Sequence, residues 1–300
     1  MIAQIETNTY CNQSCWYCQN SCYPRRADSV MSMDLFGHIL QEILSCYPES
    51  KPVVSFAAYN EPTFDPHLKE RFGALKKAGF SFLFFSNGTN LTRDLVDFMA
   101  CEKPGITDFF FNIPAFEPDE YQRLTGAPAG NMYRITENLL YLCSKKDQIG
   151  SRISINVHGD MGESHQSNHL RAKAIFNPLG IDVLFQGLVN RAGMLDDGIP
   201  QSVDHRTEHL LCSMRRFQDL YIGVEGNVYL CCHDYYQQYT YGNLREVPLR
   251  ALLTSQARKY TVRQFRKDFC RCCIQAQSIA ELGRNLRSIA HSNNMKRCAK

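Results

Sequence analysis

Short apolar runs alternate with stretches whose apolar residues recur at helical spacing, beginning at the first residues of the chain. Ile2 to Thr7 reads as a strand. Met33 to Cys46 reads as a helix capped by Ser32, followed by a strand at Val53 to Phe56 and a helix at His67 to Ala78 that Gly79 stops. The rhythm continues with a strand at Phe80 to Phe85, a helix at 91–101 and a strand at 107–112. A helix at 131–145, a strand at 151–157, a helix at 166–176 and a strand at 182–186 complete it. About six βα units around a parallel sheet account for the pattern, which sets the class as α/β.

From Leu188 the alternation breaks. Asp, Gly and Pro gather between Leu195 and Asp204, and a hairpin pattern follows: Leu220 to Val224, a turn at Glu225-Gly226, then Val228 to Cys231. A smaller second unit is expected there, giving domains of 1–190 and 191–300. Beyond Pro248 the pattern is helical and basic, interrupted by Cys270-Arg271-Cys272-Cys273.

The composition narrows the function classes. The chain has 300 residues, 44% of them apolar, enough for a packed core. A net charge of +3 announces neither a nucleic-acid nor a membrane surface. No apolar run approaches the roughly 20 residues that span a bilayer, and no signal peptide opens the chain, so the reading is cytoplasmic. The basic segments Arg263 to Lys267 and Lys296 to Lys300 read as a solvated helix and tail, so nucleic acid is not the expected partner. Fourteen cysteines in a reducing compartment point to metal or redox chemistry.

Cys11, Cys15 and Cys18 follow the first strand with the spacing Cys-x3-Cys-x2-Cys, and Tyr17 precedes the last. Three thiolates leave a zinc site one ligand short, whereas on a [4Fe-4S] cluster they leave one iron open. This motif at the end of strand one resembles the radical S-adenosylmethionine (radical SAM) superfamily. A zinc site completed by Cys22 or another residue is the alternative.

Three further segments lie where that family places cofactor contacts. Ala58-Tyr59-Asn60-Glu61-Pro62 stands in the place of a Gly-Gly-Glu-Pro segment facing the methionine amino group; Glu61 and Pro62 match, and the glycines do not. Ser86-Asn87-Gly88 resembles the family's segment near the cofactor ribose. Asn112, Asn156 and His158 sit at strand C-terminal ends, where barrels gather their chemistry. The resemblance thus implies a partial (β/α)6 barrel, with Tyr17, Asn60, Glu61, Ser86, Asn87, Asn112 and His158 as cofactor-binding candidates.

In the second unit, Cys212, Cys231 and the pair Cys270-x2-Cys273 form a four-ligand set that suits zinc or iron–sulfur equally by spacing. It resembles the auxiliary-cluster domain of many radical SAM enzymes, in the short twitch form of the SPASM domain, which holds one [4Fe-4S] cluster on a β-hairpin plus helices. Seven cysteines remain. Cys46, Cys101 and Cys143 fall in helices and read as core thiols. Cys22, Cys232, Cys272 and Cys298 could each be an alternative ligand, a hydrogen-atom donor or a bystander, and Cys232 is the catalytic candidate among them. Arg191, in Asn190-Arg191-Ala192-Gly193, is a candidate substrate contact. Asp234 is placed to orient the auxiliary loop. His165 and His169, at i,i+4 without a zincin glutamate, read as a solvated helix face.

The resemblance implies two [4Fe-4S] clusters, S-adenosyl-L-methionine, and an external electron donor such as flavodoxin or ferredoxin. The expected reaction is removal of hydrogen from a carbon of a polar small molecule, by dehydrogenation, epimerisation or decarboxylation in natural-product biosynthesis. A chain opening on strand one, with no preceding unit to grip a leader peptide, and the compact twitch form both favour that reading. The alternatives are a maturase of ribosomally made peptides, by crosslinking or epimerisation, and a non-catalytic zinc-binding protein.

Overall fold

A computed structural model describes residues 1–22, 27–57, 59–193, 195, 210–212 and 216–278. Cys298, the Lys296 to Lys300 segment, most of the stretch from Leu195 to Asp204 and the Cys22 side chain lie outside the described part. No described helix is long and apolar enough to cross a membrane.

Strand β1 (Ile2–Ile5) is followed by α1 (Gln19–Cys22), α2 (Met33–Cys46) and β2 (Val53–Ser55). Helix α3 (Leu68–Ala78) leads to β3 (Phe82–Ser86), α4 (Arg93–Glu102) to β4 (Ile106–Asn112), and α5 (Pro118–Thr125), α6 (Gly130–Ser144) and α7 (Lys146–Ile149) to β5 (Arg152–Gly159). Helix α8 (Glu163–Phe176) then leads to β6 (Asp182–Gly187). These six strands pair in parallel in their order along the chain, the arrangement of a partial (β/α)6 barrel.

Local chemistry explains the helix ends. The Ser32 and Thr92 side chains accept from the Leu35 and Leu95 N–H groups, capping α2 and α4. Gly79 closes α3 at φ 68°, a left-handed conformation that costs glycine little.

Alternation along the strands sorts the two sheet faces. Phe56, Phe82, Phe84, Phe109 and Phe111 are buried and form a chain of ring contacts that Phe72 of α3 joins, so this face packs on the helices. The registered positions on the other face are more polar: Gln4 opposite Ser55, and Asn112 opposite Asn156. A polar inner face lined from several strands is the ground on which the site is built.

The hairpin does not stand apart from this sheet. After β7 (Leu210–Cys212), β8 (Leu220–Ile222) pairs in parallel with β1, and β9 (Asn227–Tyr229) and β10 (Thr240–Asn243) add antiparallel strands beyond it. The result is one nine-stranded sheet in the order β10-β9-β8-β1-β2-β3-β4-β5-β6. Without β8 the β1 edge would leave backbone donors and acceptors unpaired, so a strand from far along the chain covers it. Helices α9 (Leu249–Thr254) and α10 (Gln256–Asp268) follow, and β11 (Ala276–Ser278) pairs antiparallel with β7, setting Cys212 opposite Ala276.

Two sequence expectations change. His165 and His169 do not form a solvated face: His165 is buried, donates from Nε2 to the Val157 carbonyl at 2.7 Å, accepts from the Met161 N–H at 3.1 Å and stacks on Phe185. Its neighbour His169 reaches the Val183 carbonyl at 3.2 Å. Imidazoles thus stitch α8 to β5 and β6, which helical spacing alone does not reveal. Of the expected core thiols, Cys143 is buried and Cys46 half-buried, but Cys101 is exposed. Arg263 and Lys267 are exposed on α10, as expected of a solvated face.

Candidate active site

The loop after β1 carries Cys11, Cys15 and Cys18 and is fastened along its length. The Ser14 and Trp16 N–H groups donate to the Thr125 and Leu124 carbonyls at the end of α5, at 2.8 and 3.2 Å. Gln13 Nε2 donates to the Tyr121 hydroxyl at 2.6 Å. Burial pushes the Cys15 thiol well up from the ordinary range, and the nearby Cys18 and Cys11 push it further, so the three sulfurs act on one another. Tyr17 meets the Cys15 thiol, and its ring lies 6.4 Å from that of His158 on β5.

Glu61 is 2% exposed and fully engaged. Oε1 accepts from the Thr63 N–H, the Thr63 hydroxyl and the Ser86 hydroxyl at 3.1, 2.7 and 2.7 Å, and Oε2 accepts from the Asn87 N–H at 2.6 Å. Burial pushes the carboxyl up while those donors oppose it. The side chain therefore straps the loop after β2 to the loop after β3.

Asn87 extends the strap, donating from Nδ2 to Asn12 Oδ1 at 2.9 Å, with Cys11 Sγ at 4.0 Å. Asn12 in turn donates to the Thr89 hydroxyl, and Thr89 donates from N–H and hydroxyl to Asn87 Oδ1. Asn60 Nδ2 donates to Asn8 Oδ1 at 2.6 Å. On the strand ends, Asn112 Oδ1 accepts from Asn156 Nδ2 and from His158 Nε2, both at 3.0 Å. Burial, and then the Arg191 charge, hold His158 down at about 4, so its ring is neutral near pH 7.

Arg191 occupies a run of left-handed residues, with φ of 49° at Arg191, 61° at Ala192 and 81° at Gly193. A Cβ at Gly193 would stand 2.7 Å from that of Cys272, so only glycine fits. The turn carries the guanidinium to a place where its charge bears on Tyr17, Tyr59 and His158 on one side and on Cys232 and His233 on the other.

Cys212, Cys231, Cys270 and Cys273 line one cavity, walled by Phe217, Phe265 and Phe269. Burial pushes Cys270 up to about 12, with Cys273 and Cys212 adding to it. Cys232 hydrogen-bonds Cys231; this and the Arg216 and Arg191 charges hold Cys232 below the ordinary thiol range, while the same bond and burial push Cys231 up. Asp234, buried, accepts from the Gln238 and Tyr239 N–H groups at 3.0 and 2.9 Å, shaping the loop after the two cysteines.

The donor sets fit the groups that the sequence suggests. Among the described residues, only Cys231, Cys232 and His233 bring three metal-ligating atoms within 4.8 Å of one another. A single zinc draws its sulfurs to within about 3.8 Å, given Zn–S bonds near 2.3 Å, whereas thiolates on separate irons stand further apart. The wider Cys11, Cys15, Cys18 set and the four cysteines around an apolar cavity suit clusters. Asn60 Oδ1 and Asn156 Oδ1 are buried with no hydrogen-bond partner among the described residues, two acceptors suited to a ligand with ammonium and hydroxyl donors.

Four contributors were not evident in the sequence. Gln19 Nε2 donates to the His233 carbonyl at 3.1 Å, and the Tyr59 hydroxyl donates to the Cys232 carbonyl at 2.6 Å. Thr63 and Asn12 complete the straps described above. Tyr59 carried a signal, since it stands where glycine is expected; the others carried none at the level of spacing.

A partial parallel barrel with three thiols after its first strand and a cysteine-lined hairpin unit defines a class, and sequence comparison agrees with it. The profile of the Radical SAM superfamily matches residues 5–165, and that of an iron-sulfur cluster-binding domain, SPASM, matches 212–274. The chain belongs to the radical SAM superfamily and carries a C-terminal SPASM domain.

A Niallia circulans S-adenosyl-L-methionine-dependent 2-deoxy-scyllo-inosamine dehydrogenase is 32% identical over 67 residues, 22% of this chain and 26% of that protein. The match thus spans about a quarter of that relative. Among solved structures, BtrN in complex with AdoMet and 2-DOIA shares the fold with a TM-score of 0.57 and 18% identity, covering 93% of each chain. Streptococcus suis SuiB bound to the precursor peptide SuiA gives 0.66 and 13% identity, over 88% of this chain and 66% of that one. The anSMEcpe structure with AdoMet and the Cp18Cys peptide gives 0.58 and 12%, over 87% and 82%.

Proposed function

We propose that this chain is a radical SAM oxidoreductase that removes a hydrogen atom from a carbon of a polar small molecule. On this reading residues 1–190 form the radical core and residues 191–300 the auxiliary unit. Cys11, Cys15 and Cys18 hold one [4Fe-4S] cluster, and Cys212, Cys231, Cys270 and Cys273 hold another. When bound, the first cluster and S-adenosyl-L-methionine supply a 5′-deoxyadenosyl radical, once an external donor such as flavodoxin or ferredoxin has provided an electron.

The protein's own residues bind and position. Asn60 and Asn156 offer the cofactor their free carbonyl oxygens. Glu61 and Asn87 hold the loops after β2 and β3 against the Cys11 loop. Asn112 fixes the neutral His158 ring beside Tyr17. Arg191 faces the substrate, and Cys232 stands by as a second catalytic group on the auxiliary side.

The observation that carries the small-molecule reading is the Arg191 charge, which bears on Tyr59 and on Cys232 at once, together with the bond from the buried Tyr59 hydroxyl to the Cys232 carbonyl. A guanidinium placed beside tyrosine and thiol groups suits a compact polar substrate, and the match to the inosamine dehydrogenase supports the same class. A second reading, maturation of a peptide, is favoured by the likeness to peptide-bound SuiB.

The test is anaerobic incubation with S-adenosyl-L-methionine, dithionite and ring-deuterated aminocyclitols or sugars. Deuterium arriving in 5′-deoxyadenosine from a small molecule supports the proposal. Transfer from a labelled peptide, and none from small polyols, moves the assignment to the second reading.

A further inference from the structure

His233 follows Cys231 by two positions and is 4% exposed; its ring meets the Gln275 side chain, yet its Nδ1 makes no hydrogen bond of ordinary geometry among the described residues. A buried ring nitrogen left in that state is uncommon, because the cost of removing it from water is normally recovered by a partner. The same side chain lines the cavity enclosed by Cys212, Cys231, Cys270 and Cys273. A ring nitrogen lies within 4.8 Å of the Cys231 and Cys232 sulfurs. The residue is held there from behind, where its carbonyl accepts from Gln19 Nε2 at 3.1 Å.

We propose that the His233 imidazole donates an N–H from Nδ1 to a sulfur of the auxiliary cluster and thereby raises that cluster's reduction potential. The inference rests on the reading of this cavity as a four-iron site. Four irons are matched by four cysteines, so no iron remains for the imidazole to ligate. What the ring can still offer is a proton donor: the cavity is walled mainly by Phe217, Phe265 and Phe269, and the Gln275 side chain, which also lines it, is the acceptor that a cluster sulfur would compete with.

A hydrogen bond to a cluster sulfur stabilises the reduced form, which carries one more negative charge, and so shifts the potential upward. His233 thus sets how readily the auxiliary cluster accepts an electron. It acts through the cluster as a positioning and tuning residue.

The experiment uses the full-length chain with Cys11, Cys15 and Cys18 changed to alanine, so that only the auxiliary cluster contributes. Iron content is measured and the midpoint potential is followed by electron paramagnetic resonance, with His233 intact, in His233→Phe and in His233→Gln. The expected result is unchanged iron, a more negative potential in His233→Phe and partial return in His233→Gln, whose amide still donates. Pulsed resonance on the His233-intact protein labelled with 15N-histidine should show weak coupling to the reduced cluster, a readout that needs no variant to fold. An unchanged potential in iron-replete His233→Phe overturns the inference, as does absent coupling or coupling as strong as a direct iron–nitrogen bond. Lack of iron in the triple-alanine protein itself overturns the cluster reading beneath it.

Discussion

Gln19 joins the two cysteine regions of the molecule: one residue past Cys18, its amide reaches the backbone carbonyl of His233, two residues past Cys231, at 3.1 Å. The Tyr59 hydroxyl makes a parallel link to the Cys232 carbonyl at 2.6 Å. The two loops are therefore held in a fixed relation by bonds from side chain to main chain, and electron exchange between groups bound in them would occur across a set distance.

Breaking that link should be felt in stability. Gln19 is fully buried, so Gln19→Leu leaves the His233 carbonyl without its donor and should cost about 1–3 kcal/mol. Tyr59→Phe removes one neutral hydrogen bond and should cost about 1 kcal/mol. Urea unfolding of each variant measures both, and additive losses in the double variant would show that the two bonds act independently.

A buried ion pair secures the turn that follows Glu61. Arg71 Nε meets Asp65 Oδ2 at 2.7 Å with both side chains at 0% exposure, its guanidinium lies over the Phe36 ring, and it also bonds the Met31 carbonyl. Removing one partner strands a charge in the core, so Arg71→Ala should lose about 3–5 kcal/mol in denaturant unfolding. A loss below about 1 kcal/mol would show that the pair is not buried in solution.

The neutral state of His158 gives a pH signature. Its folded pKa of about 4 lies below the ordinary value of 6.5, so the unfolded chain binds the extra proton first as pH falls. Its contribution to stability is complete above about pH 6.5 and is lost progressively as pH drops through about 4. His158→Gln, whose amide can still reach Asn112, should lack that share of the acid destabilisation. Unfolding curves of the two proteins between pH 7 and pH 4 should diverge, and parallel curves would contradict the assignment.

Much of the fold was legible because strand and helix patterns differ in period and because caps such as Ser32 and Gly79 announce helix ends. Helix α5 was missed: eight residues between Pro118 and Thr125 with three buried positions give too short a pattern. The pairing of β8 with β1 was also hidden, since alternation shows that a segment is a strand but not which distant edge it covers.

The candidate site was legible where spacing carries chemistry, as with the two cysteine sets. Its supports were not. Glu61 was read as a cofactor-binding candidate, and the structure adds a support that the sequence hid, its carboxylate strapping Thr63, Ser86 and Asn87 through the approach of two loops that no local pattern encodes. His165, read as solvated, is buried because β5 and β6 close over its helix face.

On the proposed function, two separate cysteine sets hold two four-iron clusters, and only the first starts the radical chemistry. Iron content and dithionite-driven 5′-deoxyadenosine formation, measured after anaerobic reconstitution of the unaltered chain and of the Cys11, Cys15, Cys18 triple-alanine protein, test it most directly. The expected result is about eight irons per chain falling to about four, with 5′-deoxyadenosine abolished. Zinc in place of iron in the unaltered chain, or 5′-deoxyadenosine formation surviving the triple change, would contradict it.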